Sequence, residues 1–147
     1  MEAKKWHVIQ IVELNASAKE VWKLVGGFFT IHTWHPDIAT TEIPLDQTNQ
    51  HEIRRFLTFP GPPISTTTEQ LIFIDNNNWY YKYKWYAGKW GEEIKDYHSE
   101  IRVLETVPDQ QCLVQWSSTF IYTEDALSAF YLHGFEALKK RFGTPEQ

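Results

Sequence analysis

The sequence predicts an α+β fold, an antiparallel sheet with its helices gathered on one face, and three observations carry that expectation. Candidate strands follow one another through short turn signals, the arrangement of an antiparallel meander. The last thirty residues or so repeat apolar positions at helical spacing, Leu127, Phe130, Tyr131, Gly134, Leu138 and Phe142, a face that needs a sheet to cover. Finally, 147 residues without a break in composition suffice for one core and are short for two, so one domain is expected over 1–147.

The elements run in order as follows. Residues 6–14, WHVIQIVEL, alternate loosely and are rich in β-branched side chains, which predicts a strand. Ser17-Ala18-Lys19-Glu20 has the form of a capping box ahead of Val21, Trp22, Leu24 and Val25, so a helix should start there and end at Gly26-Gly27. Residues 28–34 suggest a second short helix stopped by Pro36, which biases His35 towards an extended backbone. Six strands are then expected at 38–44, 51–59, 64–75, 79–86, 94–106 and 112–122, punctuated by Pro60-Gly61-Pro62-Pro63, Asp75-Asn76-Asn77-Asn78, Ala87-Gly88 and Pro108-Asp109. A long helix capped by Thr123 closes the chain, with Glu124 and Asp125 at its positive end and Lys139, Lys140 and Arg141 at its negative end.

Alternation sorts the side chains of three strands. Trp79, Tyr81, Tyr83 and Trp85 should point inward, opposite Tyr80, Lys82, Lys84 and Tyr86. Tyr97, Ser99, Ile101 and Val103 form an inner row, as do Cys112, Val114, Trp116, Ser118 and Phe120. The strand around Glu69 resists sorting, because both of its faces are equally apolar. An outward Glu69 is an ordinary surface charge, whereas an inward one needs a partner, since an isolated buried carboxylate is costly. Arg54 or Arg55, on the preceding strand, could supply it.

Composition narrows the function. A net charge of -5 argues against nucleic acid, which is held by clustered Lys and Arg. One cysteine excludes an internal disulfide, no apolar window is long enough to insert in a membrane, and the first residues lack the form of a signal peptide, so a cytoplasmic protein is expected. Neither G-x-G-x-x-G nor a phosphate-binding loop occurs. His32, His35 and Asp37 fall short of the convergent ligands that zinc requires, so no metal is expected. Aromatic residues at 16%, including seven Trp, suggest broad flat surfaces for a core or a ligand.

Taken together, Val21-Trp22-(x)2-Val25, Trp34-His35-Pro36, Ile53-Arg54-Arg55-Phe56, Thr68-Glu69-Gln70-Leu71-(x)3-Asp75, Tyr97 and Val114-x-Trp116 resemble the START-like superfamily, SRPBCC. The resemblance is to its bacterial polyketide cyclase/dehydrase and lipid-transport group and, more distantly, to plant abscisic acid receptors. It implies a helix-grip fold of the Bet v 1 type: a curved seven-stranded antiparallel sheet around a long C-terminal helix, two short helices after the first strand, and an internal cavity for a hydrophobic ligand. It implies an inward Glu69, from the run Ser65-Thr66-Thr67-Thr68-Glu69, and a cavity position for His35. Pro60-Gly61-Pro62-Pro63 resembles the receptors' gating loop, while Ala87-Gly88-Lys89-Trp90-Gly91-Glu92 lacks the His-Arg pair of theirs and Asn49-Gln50-His51-Glu52 lacks a usual glycine. These departures count against hormone reception.

On this reading His35, Glu69, Tyr97 and Arg54 are the candidate catalytic groups: His35 and Glu69 as acid and base, Tyr97 and Arg54 orienting a carbonyl. Trp79, Tyr81, Tyr83, Trp85, Ser99, Trp116, Phe120, Phe130, Tyr131 and Pro62 are the candidate ligand contacts. The leading expectation is a cofactor-independent cyclase, dehydratase or related lyase of natural-product metabolism, acting on an aromatic or polyketide-like molecule. The alternative is a carrier or sensor that encloses a lipid or metabolite unchanged. The plainer view of the same residues is an ion pair, a satisfied histidine and a tyrosine wall. A partner surface at Trp90 is a third option, and a homodimer is left open.

Overall fold

The computed structural model describes residues 2–44, 52–88 and 93–145. Strand β1 (Lys4–Leu14) leads into helix α1 (Ala18–Val25), and six strands follow: β2 (Thr40–Glu42), β3 (Arg54–Phe59), β4 (Ser65–Asp75), β5 (Tyr80–Ala87), β6 (Lys95–Val107) and β7 (Gln111–Tyr122). Helix α2 (Ser128–Phe142) ends the fold. The strands form one antiparallel sheet in the order β1-β7-β6-β5-β4-β3-β2, so the first strand lies against the last, from Lys4 opposite Tyr122 to Leu14 opposite Cys112. The buried apolar residues of the sheet, α1 and α2 make one cluster. This is the helix-grip architecture.

Helix α1 forms where its caps are. The Ser17 hydroxyl accepts from the Glu20 amide at 3.1 Å, and the Gly26 amide donates to Trp22 O at 2.8 Å. Its face of Val21, Trp22 and Val25 is buried, and Trp22 Nε1 donates to Asn76 Oδ1 at 3.0 Å, fastening the helix to the β4–β5 turn.

Four elements depart from the sequence pattern. The expected helix at 28–34 is reduced to a 3₁₀ turn at Ile31–Thr33. There the Thr33 hydroxyl donates to Thr30 O at 2.6 Å and the Thr30 hydroxyl to Gly27 O at 3.3 Å, local bonds that compete with a longer helix. The strand expected at 38–44 keeps only Thr40–Glu42, and the one expected at 51–59 starts at Arg54. Helix α2 begins at Ser128 rather than after Thr123, because Asp125 Oδ1 accepts from the amides of Leu127 at 3.1 Å and Ser128 at 3.0 Å and holds the preceding residues in a turn. At the other end Gly143 takes φ 76°, its amide donates to Lys139 O, and its carbonyl accepts from the Asn15 amide at 2.9 Å.

Candidate functional site

The parity of β3 decides the interior. Arg55 and Leu57 are fully buried, which puts Arg54 on the outer face. Arg54 there pairs with Glu52, donates through Nε to Gln70 Oε1 at 3.1 Å and lies over the Tyr86 ring at 3.7 Å. The guanidinium beside Glu69 is therefore that of Arg55, and the assignment of that place to Arg54 is corrected. The sequence left both arginines open because Phe56 and Leu57 are equally apolar.

Glu69 points inward and sits directly opposite Arg55 in the β3–β4 register. Arg55 Nε donates to Glu69 Oε1 at 2.9 Å, and Nη2 lies 2.7 Å from the same oxygen. Nη1 donates to Phe28 O at 3.0 Å and to the Tyr81 hydroxyl at 3.2 Å. Three rings enclose the guanidinium: Phe28 at 4.3 Å, Tyr83 at 4.7 Å and Tyr81 at 5.7 Å. Arg55 is 0% exposed and Glu69 5%, so the pair is buried. Burial pushes the Glu69 carboxyl above its ordinary pKa, against the pull of Arg55. Burial also works against the Arg55 charge, but Tyr81 and Glu69 outweigh it and hold the group a cation.

Beyond the pair runs a chain of hydroxyls. Tyr83 accepts from Trp116 Nε1 at 3.0 Å, and Tyr97 hydrogen-bonds with Tyr83 and Tyr131. Ser99 Oγ donates its single proton to Ser117 O at 2.9 Å, so Tyr131, 3.0 Å away, donates to Ser99. Burial raises the pKa of Tyr81, Tyr83 and Tyr97, and that of Tyr131 to about 12, so these phenols stay protonated near neutral pH. The Trp116 ring stacks on Tyr131 with centroids 4.4 Å apart.

His35 lies at the other end of the interior, 1% exposed. Its Nε2 is 2.6 Å from Phe130 O, and its Nδ1 accepts from the Asp37 amide at 3.1 Å. The first contact requires a proton on Nε2 and the second a lone pair on Nδ1, which fixes one neutral tautomer. Burial lowers its pKa from 6.5 to about 4. The imidazole stacks on the Phe130 ring at 4.0 Å and 19°, and meets Trp116 edge-on at 5.8 Å. Gly134 of α2 makes room for this packing: a Cβ there would lie 2.7 Å from His35 Cδ2.

Phe130 also borders a recess of about 400 Å³ that opens to solvent, lined by Pro36, Asp37, Phe59, Pro60, Gly61, Ser65 and Ala126 besides itself. The recess lies between the start of α2 and the proline loop, and we call it the mouth. Of the other sequence candidates, Tyr81, Tyr83, Ser99, Trp116, Phe120 and Tyr131 are buried on the inner face. Trp85 and Trp79 are partly buried, and Trp79 stands in the turn before β5 with φ 58° rather than in the strand. Pro62 is exposed on the proline loop. Trp90 and the rest of 89–92, like Asn49, Gln50 and His51, lie outside the described residues.

Among the described residues no three His, Cys, Asp or Glu side chains converge on a point, and burial pushes the Cys112 thiol up to about 11. The indole N–H groups of Trp34 and Trp85 are buried without a partner among the described residues. Sequence reasoning missed Phe28 and Phe59 and weighed Asp37 only as a metal ligand. A ring at the first position of the expected second helix was the available signal for Phe28, whose carbonyl and face both meet Arg55.

The sequence profile of the family described as polyketide cyclase/dehydrase and lipid transport matches residues 5–143. The chain belongs to that family. By structure it is similar to the protein XoxI from Bacillus cereus, at 26% identity, covering 92% of this chain and 94% of that one with a TM-score of 0.79. The truncated norcoclaurine synthase from Thalictrum flavum is 18% identical, with 96% and 95% covered and a TM-score of 0.69. The Zhui aromatase/cyclase from a Streptomyces species is 16% identical, with 94% and 86% covered and a TM-score of 0.65. The last two likenesses are of fold. No curated protein matches the chain by sequence.

Proposed function

We propose that this member of the polyketide cyclase/dehydrase and lipid transport family encloses a small, largely apolar molecule inside the grip and holds it unchanged, as a carrier or sensor. One observation carries the choice over turnover: the buried titratable groups are already engaged by protein partners. Both nitrogens of His35 are engaged by backbone, Glu69 is held by Arg55, and Tyr83, Tyr97 and Tyr131 are hydrogen-bonded to neighbours. A general acid or base has to face the proton it moves, at a pKa near the working pH. A neutral imidazole with a pKa near 4 and phenols held protonated do not meet that condition as they stand. The apolar walls and the indole N–H groups of Trp34 and Trp85, buried without a partner among the described residues, suit a ligand with a few polar atoms.

The enzymatic reading has its own supporting observation, a carboxyl raised in pKa beside a guanidinium within an aromatic enclosure. In that reading Glu69 is the proton carrier, Arg55 and Tyr97 orient a carbonyl, and His35 has to leave its backbone partners before it acts. Mass spectrometry of molecules that co-purify with the chain, followed by incubation and re-analysis, separates the two. We expect an apolar compound recovered at unchanged mass and structure. Conversion that stops in Glu69→Gln would overturn the carrier reading.

A further inference from the structure

The slot above His35 has an occupant already, and that occupant is a side chain. The Phe130 ring lies parallel to the imidazole at 4.0 Å and tilts against Trp116 at 5.5 Å and Phe59 at 6.1 Å. His35 and Trp116 are buried, whereas Phe130 is partly exposed and borders the open recess at the mouth. What holds the imidazole is independent of that ring: its two nitrogens bond the backbone carbonyl of Phe130 and the backbone amide of Asp37. Rotation of the Phe130 side chain towards the recess would leave the platform in place, with a flat face uncovered.

We propose that Phe130 is a displaceable stand-in, and that the grip's ligand carries a planar aromatic ring that enters at the mouth and takes its place on His35. The inference rests on the reading of the interior as a ligand site and names the class of ligand. The recess supplies the rest of the specificity. Its polar lining is the Asp37 carboxylate and the Ser65 hydroxyl among apolar walls, in a chain of net charge -5. His133 Nδ1 lies 2.8 Å from Asp37 Oδ2, which leaves the other carboxylate oxygen to accept from a ligand, so the ring bears a hydroxyl rather than a carboxylate.

The test uses 2-naphthol and 2-naphthoate as probes, titrated calorimetrically into the wild type, Phe130→Ala and Phe130→Leu, each checked for fold by circular dichroism. Removing the competing ring should tighten 2-naphthol binding about two- to tenfold in Phe130→Ala, the range a stacked aromatic pair commands. Phe130→Leu, which cannot stack on the imidazole, should gain in the same direction and decides the matter if the alanine variant does not fold. Bound 2-naphthol should shift the His35 ring resonances upfield, and 2-naphthoate should bind more weakly to every variant. Equal 2-naphthol affinity in wild type and variants, or binding that leaves the His35 resonances unmoved, would overturn the proposal. If apolar molecules co-purify with the chain and 2-naphthol still fails these tests, the stand-in role falls and the ligand site stands. If nothing apolar is ever held, both fall.

Discussion

Arg55 and Glu69 face each other across the β3–β4 register, and the 2.9 Å bond from Nε to Oε1 is made where both residues are buried. Such a pair gains little over an apolar replacement but is costly to halve, because one charge is left buried alone. Glu69→Gln and Arg55→Met should each destabilise by about 3–5 kcal/mol in urea unfolding, and Arg55→Met with Glu69→Leu should recover most of the loss. Additive losses in the double variant would show that the pair is not coupled.

His35 should make stability fall in mild acid. Its pKa is lowered from 6.5 to about 4 on folding, so between those values the unfolded chain binds the extra proton. The contribution is fully present above pH 6.5 and is lost as pH falls towards 4, at about 2–4 kcal/mol. Glu69, raised by burial above 4.5, acts in the opposite sense, its contribution being present below pH 4.5 and lost as the pH rises above that value. The difference between the wild type and His35→Phe, followed by urea unfolding from pH 7.5 to 4, isolates the histidine. A parallel pair of curves would rule out a neutral buried imidazole.

Gly134→Ala should destabilise although alanine favours a helix. The added methyl would lie 2.7 Å from His35 Cδ2, 3.0 Å from Trp34 Cζ3 and 3.1 Å from His35 Nε2, atoms of rings that cannot bend away. We expect a loss of about 1–3 kcal/mol in thermal unfolding, as for overpacked cores, together with a weakened His35–Phe130 bond visible in hydrogen exchange. A gain in stability would mean that the loop at His35 yields.

Arg54→Ala should cost about 1 kcal/mol or less and leave binding of 2-naphthol unchanged, since its contacts to Glu52, Gln70 and Tyr86 are on the outer face. Loss of ligand binding in Arg54→Ala would restore that residue to the interior.

The topology was legible because alternation is unambiguous where charges mark one face. Lys82 and Lys84 fix β5, and Asp96, His98 and Glu100 fix β6, and Tyr81, Tyr83, Tyr97 and Ser99 are buried as those patterns require. The site was less legible where two neighbours share the same chemistry. Arg54-Arg55 followed by Phe56-Leu57 reads equally well in either parity, and only the register with Glu69 separates them. Within β4 the pairing slips between Leu71 and Phe73, so no single alternation describes the strand. His35 stood out as a chemical group, but its engagement by the carbonyl of Phe130, ninety-five residues on, depends on tertiary packing that no local pattern encodes.

Helix α2 opens at the mouth and closes at Gly143, whose carbonyl is bound to Asn15. At about 1.5 Å per residue, its 15 residues set the two ends about 22 Å apart. A tether, a resin or a further stretch of polypeptide joined beyond Pro145 would thus emerge on the side remote from the proline loop. The entrance can stay open to small molecules while the chain is immobilised from that end.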